Sequence, residues 1–257
     1  MTDLVVPTLG FMNTGAICYF NAMIQSLLSC KSFVSYTCKE KPESLFTLFF
    51  NFIVKEQKWD AFFTSKLLQV MGCFAPNQSS SEYFLKVCDH EKFDDLFKTT
   101  TETISVCAEC KYESKMVDVS VCIMIDNNLQ ECFETVREVD EFLCSGCKKK
   151  VKATITSRLK DISGIMVFSF NKYFGKKMIP YPMGFFIDGD KKYRLVSTVE
   201  HMGVLQAGHY YCRTVRNGQM SMIDDSSVQT IQEMAPTENT YMVFYERVYD
   251  GNANSTN

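Results

Sequence analysis

From Cys18 onward, apolar residues recur at Phe20, Met23, Ile24, Leu27 and Leu28, the three-and-four spacing of one helix face. Small and turn-forming residues precede them: Gly10, Asn13, Thr14, Gly15 and Ala16. This pattern predicts a loop that becomes a buried helix at Cys18. Ser44 to Val54 is apolar on almost every side and predicts a deeply buried segment. Asn77 to Leu85 reads as a loop with serine caps opening a helix, with Glu82 in the first turn. Residues 18 to about 97 are thus mainly helical. Past Thr99 the pattern changes to short β-branched and aromatic runs, Ser114 to Ile125, Lys152 to Arg158 and Gly164 to Phe170, which predict strands. Glu134 to Phe142 reads as a polar helical or turn stretch. Tyr193 to Gly203 alternates as a strand, Gly203 to Gly208 as a loop, and His209 to Arg216 as another strand. Helices first and strands afterwards, with no Pro/Gly/Ser-rich linker between, predict one α+β domain over residues 1–250. The polar tail 251–257 reads as disordered.

Composition narrows the function classes. The chain has 257 residues, 46% of them hydrophobic, and a formal net charge of -3. That balance gives no support for a nucleic-acid partner, which would show a basic stripe. No apolar run approaches the roughly 18 residues of a membrane span. The N-terminal MTDLVVPTLGF shows no signal-peptide pattern. The 12 cysteines therefore fit a reducing compartment, as thiols, metal ligands or nucleophiles. The expectation is a monomeric cytoplasmic protein, with the nucleus also open.

Three constellations carry chemistry. Cys18 at a helix N-terminus would meet orphan N–H groups and the positive end of the macrodipole, which lower a thiol's pKa. The alternative is a small buried thiol capping a core helix. Cys107-Ala-Glu-Cys110 and Cys144-Ser-Gly-Cys147 form two pairs whose spacing lets each turn offer two sulfurs to one zinc. The 33 residues between them exceed the usual zinc-ribbon spacing, and a redox disulfide is the next reading. The third lies between Tyr193 and Arg247. Of the three histidines, His90 sits at a polar helix end where solvation is the default, leaving His201 and His209 as partners for a nucleophile. Asp224-Asp225-Ser-Ser is a turn or a source of acceptors. Lys148 to Lys150 reads as a solvated turn. Cys30, Cys38, Cys73, Cys88, Cys122, Cys132 and Cys212 read as ordinary thiols.

Gly-x-x-Asn-x-Gly-x-x-Cys-Tyr-x-Asn at Gly10 to Asn21, continuing to Gln25, resembles the cysteine box of the ubiquitin-specific proteases. Tyr-x-Leu-x-x-Val-x-His-x-Gly at Tyr193 to Gly203, followed by Gly208-His209-Tyr210, resembles their histidine box, and Thr240 to Arg247 their closing strand. The resemblance implies a papain-like fold with a helical thumb (about 10–98), zinc-bearing fingers (about 99–160) and a strand-rich palm (about 161–248). It implies a thiol-dependent deubiquitinase acting on ubiquitin and ubiquitinated proteins. Cys18 is then the nucleophile, His209 the base, Asp224 its orienting acceptor, and Asn13 an oxyanion donor. Asp225 falls near the oxyanion or in the surrounding hydrogen bonds. Adjacent residues on an extended segment point to opposite faces, so Asp224 and Asp225 are expected on opposite sides. Gln78, Glu82, His201, Gly208 and Tyr210 fall along the substrate, and Cys107, Cys110, Cys144 and Cys147 on structural Zn2+. Three departures stand out. Ser79 replaces the family's aspartate, Met202 its serine, and Met220 its tryptophan. A protease for another ubiquitin-like modifier, a catalytically silent ubiquitin-binding module and, more distantly, a zinc-ribbon nucleic-acid binder are the competing readings.

Overall fold

The computed structural model describes residues 5–39, 44–72, 78–172, 177–204 and 207–249. Cys73, Asn77 and the tail 251–257, all read above, lie outside the described residues.

Among the described residues six helices come first: α1 (Cys18–Leu28), α2 (Lys31–Lys39), α3 (Leu45–Glu56), α4 (Ala61–Val70), α5 (Ser80–Glu91) and the short α6 (Asp94–Phe97). Every residue of α1 is buried, including its polar ones. Several of those polar groups find partners outside the helix, as burial favours. Gln25 Nε2 donates to the Leu9 carbonyl at 2.7 Å, and Ser197 Oγ donates to Ser26 Oγ at 2.9 Å. The buried guanidinium of Arg216 closes the C-terminal end. It donates to Ser29 Oγ (3.1 Å), the Pro7 carbonyl (2.8 Å) and the carbonyl and side chain of Gln25. A cation at that end complements the helix macrodipole. At the start of α2, Glu246 accepts the N–H and hydroxyl of Ser32, both at 2.6 Å. In α3, Phe46, Phe49, Phe50 and Ile53 are fully buried while Leu48 is exposed. Ser79 caps α5 by accepting the Glu82 N–H at 3.0 Å, as the sequence predicts.

The strands form two sheets. The first is four-stranded in the order β2-β1-β5-β4, from β1 (Thr99–Cys107), β2 (Glu113–Ser120), β4 (Glu134–Leu143) and β5 (Lys150–Ile162), all antiparallel. The second runs β11-β10-β9-β8-β12-β6-β3, with β7 (Gly184–Ile187) added on β8. Its strands are β3 (Ile123–Ile125), β6 (Ile165–Phe170), β8 (Lys191–Val204), β9 (Ala207–Arg216), β10 (Gln219–Asp224), β11 (Ser227–Thr230) and β12 (Thr240–Arg247). Helix α1 lies between the other helices and this sheet, sharing one core with Val196, Val199, Cys212, Ile223, Met242 and Phe244.

Two expectations change here. Glu134 to Phe142 is strand β4, not a helical or turn stretch. It is wet on both faces, so its pattern shows no alternation, and only the pairing with β5 reveals it. Within the predicted Gly203 to Gly208 loop, Gly203, Val204, Ala207 and Gly208 belong to strands β8 and β9, paired Gly203↔Gly208 and Val204↔Ala207, and residues 205–206 lie outside the described residues. Among the described residues, no helix is long and apolar enough to cross a membrane.

Candidate active site

Cys18 opens α1, and the loop before it is shaped by Asn13. The Asn13 side-chain oxygen accepts the N–H groups of Gly15 (3.1 Å) and Ile17 (3.2 Å). The loop then turns through Gly15 (φ 139°) and Ala16 (φ 50°), so that the backbone N–H groups of Cys18 and Tyr19 meet the Cys18 sulfur. A third N–H, from Tyr210 on β9, reaches the same sulfur from the sheet side. Tyr210 directly follows His209. The thiol thus sits where the helical lobe meets the strand that carries the imidazole.

His209 Nε2 lies 2.5 Å from Asp224 Oδ1, at the end of β10. This leaves the other ring nitrogen as the one that can exchange a proton elsewhere. Asp225 departs from the sequence expectation. It does not continue the strand to the opposite face but sits in the β10–β11 turn at φ 49°. The reversal keeps both carboxylates on one side, and the ligating atoms of His209, Asp224 and Asp225 all fall within 4.8 Å of one another. Asp225 accepts Asn13 Nδ2 at 3.0 Å and Asn21 Nδ2 at 2.7 Å. Asn21 carries no role in the sequence reading, although it stands inside the cysteine box one turn after Cys18. Its partner is 204 residues away in sequence.

The thiol also behaves differently from the helix-terminus expectation. Burial pushes the Cys18 pKa up, and the Asp225 charge pushes it further. The three backbone N–H groups oppose this without overcoming it. Burial and the Asp225 carboxylate thus both work against the thiolate at this position.

The predicted substrate residues fall into two groups. His201, Gly208 and Tyr210 come together on the β8–β9 hairpin. The His201 ring stacks on Tyr210 at 4.4 Å, and Gly208 lies under the His201 ring, with no space for a side chain. Gln78 and Glu82 stand at the start of α5 on the helical side. The two sides touch: Ser81 Oγ and Tyr241 Oη are 2.7 Å apart, and the Ser80 backbone amide reaches the Tyr210 hydroxyl. Ser79, in place of an aspartate, is occupied by its capping bond. Behind the hairpin, Glu200 and Arg213 form a buried pair (Nη2 to Oε1, 2.7 Å), completed by Thr198, Thr237, Thr240 and Tyr181. Because every member has partners, this network fixes β8 against β9.

The four predicted metal ligands also converge. The sulfurs of Cys107, Cys110, Cys144 and Cys147 lie within 4.8 Å of one another. The β1–β2 and β4–β5 hairpin tips are built alike. Cys107 and Cys144 accept the N–H of Lys111 (3.1 Å) and Lys148 (2.9 Å) at their carbonyls. Lys111 and Lys148 take φ 59° and φ 61°. Since β1 pairs with β5, the two tips are neighbours despite the long insertion between them. Sulfurs this close, receiving N–H···S bonds from Cys110 (3.4 Å) and Gly146 (3.3 Å), fit a tetrahedral metal site.

A helical lobe whose buried helix opens on a cysteine, packed on a sheet that carries an imidazole–carboxylate pair, is the arrangement of a papain-like fold. The chain belongs to the ubiquitin carboxyl-terminal hydrolase family, whose model matches residues 9–245. It is 23% identical over 292 residues to the probable ubiquitin carboxyl-terminal hydrolase 8 of Schizosaccharomyces pombe, covering 92% of this chain and 64% of that protein. Over 145 residues it is 31% identical to mouse ubiquitin carboxyl-terminal hydrolase 4, covering 46% of this chain and 15% of that one. The chain thus spans under two thirds of the length of these relatives. Its fold matches the SAGA Ubp8/Sgf11/Sus1/Sgf73 DUB module bound to ubiquitin aldehyde, with a TM-score of 0.76 at 17% identity, covering 97% of this chain and 71% of that one.

Proposed function

We propose that this chain is a thiol-dependent deubiquitinase that hydrolyses the (iso)peptide bond after the C-terminal glycine of ubiquitin. One observation carries the reading: His209 is held by Asp224 at 2.5 Å, and the adjacent Asp225 binds Asn13 and Asn21, which flank Cys18 in sequence. In the reaction the imidazole takes the thiol proton as the sulfur attacks the glycine carbonyl. The Asn13 amide and the Cys18 N–H receive the oxyanion. The intermediate collapses to a thioester, and the leaving amine departs with the proton from His209. Water, deprotonated by the same imidazole, attacks the thioester; the returning proton restores the thiol and releases ubiquitin's carboxylate.

The residues about 10–98 serve as thumb, 99–160 as fingers and 161–248 as palm. Gln78, Glu82, His201, Gly208 and Tyr210 line the path of the substrate tail. Cys107, Cys110, Cys144 and Cys147 hold zinc, whose part is structural: it staples two hairpins. The solved Ubp8 neighbour, which shares the fold, is itself in a module with Sgf11, Sus1 and Sgf73. That gives no support to a solitary working state here.

The test is reaction with ubiquitin carrying a C-terminal electrophile, beside the same probe on other ubiquitin-like modifiers. Single labelling by the ubiquitin probe, lost in Cys18→Ala, is the expected result. Labelling only by another modifier moves the substrate, and equal labelling of Cys18→Ala removes the proposal.

A further inference from the structure

We infer that Asn21 is a positioning residue for the reaction: its buried amide fixes the Asp225 carboxylate, and Asp225 in turn aims the Asn13 side chain. The inference rests on the deubiquitinase reading and assigns a role to a residue that none of the reaction steps uses. Both oxygens of Asp225 are engaged by the helical lobe, Oδ1 by Asn21 Nδ2 at 2.7 Å and Oδ2 by Asn13 Nδ2 at 3.0 Å. Asp225 is also tied through its backbone, where its carbonyl accepts the Phe11 N–H at 2.7 Å. The Asn13 carboxamide is then held at three points: its oxygen by Gly15 and Ile17, and one of its two N–H groups by Asp225. A planar amide held in this way has one N–H left, and its direction is set by the others. That is the preorganised donor an oxyanion needs.

Asn21 is the anchor because it is the immobile member. It is 2% exposed, whereas Asn13 is exposed and Asp225 half-buried on a turn. It lies three residues after Cys18 on one helix, so the same rigid element that fixes the sulfur fixes the amide. Its second acceptor, the Phe11 carbonyl at 3.4 Å, lies on the same N-terminal strap. Its Oδ1 has no hydrogen-bond partner among the described residues. An orphaned buried carbonyl opposes folding, so an apolar side chain would serve the core better. The amide is thus kept for what its N–H side does.

The experiment measures kcat and KM on a ubiquitin C-terminal coumarin amide for wild type, Asn13→Ala, Asn21→Leu and the double variant. Asn13→Ala is expected to lower kcat by about 10²–10³-fold, as for loss of one oxyanion donor. Asn21→Leu is expected to lower kcat toward about 10²-fold, the effect of misplacing a group by roughly 1 Å, with KM unchanged. The double variant should be no slower than Asn13→Ala alone, because the two act in series. The exchanged pair Asn21→Asp/Asp225→Asn restores an amide–carboxylate bond with its direction reversed and should recover most of the loss. Multiplying effects, or no rescue, would overturn the inference.

A reading free of substrate guards against failure of the deubiquitinase proposal itself. The Asn13 side-chain amide proton bonded to Asp225, followed by nuclear magnetic resonance, should exchange more slowly in wild type than in Asn21→Leu. Equal exchange in a folded Asn21→Leu overturns the inference whatever the substrate, and absence of turnover in wild type counts only against the substrate.

Discussion

Gly208 and His201 are packed so closely that a Cβ at position 208 would stand 2.1 Å from His201 Nε2, with the Met202 carbonyl 2.6 Å away on the same side. The glycine is required by this contact, since its φ is not in the left-handed range. Gly208→Ala is expected to push the His201 ring off Tyr210 and displace the start of β9, which carries His209. Turnover should fall by about 10²-fold, as for a 1 Å misplacement, and the melting temperature should fall as well, because the Met202 carbonyl is backbone and yields only if β8 shifts. Steady-state kinetics and a thermal melt check both halves. A variant with wild-type turnover would mean the hairpin does not position the site.

The adjacent carboxylates are separable by the sign of their effect on the thiol. The Asp225 charge raises the Cys18 pKa, so removing it must lower that pKa and increase the thiolate fraction at neutral pH. Asp225→Asn should therefore be alkylated by iodoacetamide faster at pH 7 than wild type, while turning over substrate more slowly. Asp224→Asn should leave the thiol's charge environment as it is but lose the imidazole's tautomer and orientation, lowering kcat by about 10⁴-fold. Alkylation rate against pH in both variants decides the matter. A shift confined to Asp224→Asn would exchange the roles.

Metal loss should be local. Cys144 is fully buried between the two hairpin tips, whereas the main cores lie elsewhere. Cys144→Ser is expected to release one zinc per chain by elemental analysis and to loosen β1–β2 and β4–β5 in hydrogen exchange, with α1 still protected. Ubiquitin affinity should fall more than kcat does. Purified wild-type protein without zinc, indifferent to this change, would remove the metal.

Met220, where the family has tryptophan, lines a cavity of about 240 Å³ with Tyr181, Met183, Met234, Ala235 and Pro236. The space opens to the surface beside Gln232 and Glu233. Met220→Trp should fill it and raise stability by roughly 0.5–2 kcal/mol, as cavity-filling changes commonly do. Chemical denaturation at constant m-value would show this. A loss of stability would mean that the cavity walls cannot admit the indole.

Elements with a one-sided pattern are legible in the amino-acid sequence. Helix α1 announces itself through Phe20, Met23, Ile24, Leu27 and Leu28, and α5 through its Ser79 cap. Strand β4 does not, because a strand wet on both faces has no period and is defined only by its partner. At the site, the residue types and their order are readable, but two geometric facts are not. The left-handed turn at Asp225 depends on the β10–β11 hairpin and overrides the alternation of neighbouring side chains. The state of the Cys18 thiol depends on burial and a charge brought from the far end of the chain, which outweigh the helix terminus. Asn21 is visible as a motif residue, yet its function is defined by a partner on another element.

The path of β3 bears on how the molecule assembles. Ile123 to Ile125 lie in the middle of the four-stranded sheet's sequence, yet they pair in parallel with β6 at the edge of the larger sheet. The four-stranded sheet closes on its own strands, whereas the larger sheet takes its edge from this segment of the intervening chain. Residues 99–160 expressed alone would carry an apolar strand with no neighbour, and the remainder would lack an edge. Such non-local pairing is slow to form. The hairpin ribbon is therefore tied into the larger sheet through its own connecting segment. A change that frees Ile123 to Ile125 from β6 would thus reach the sheet that carries His209 without touching the site itself.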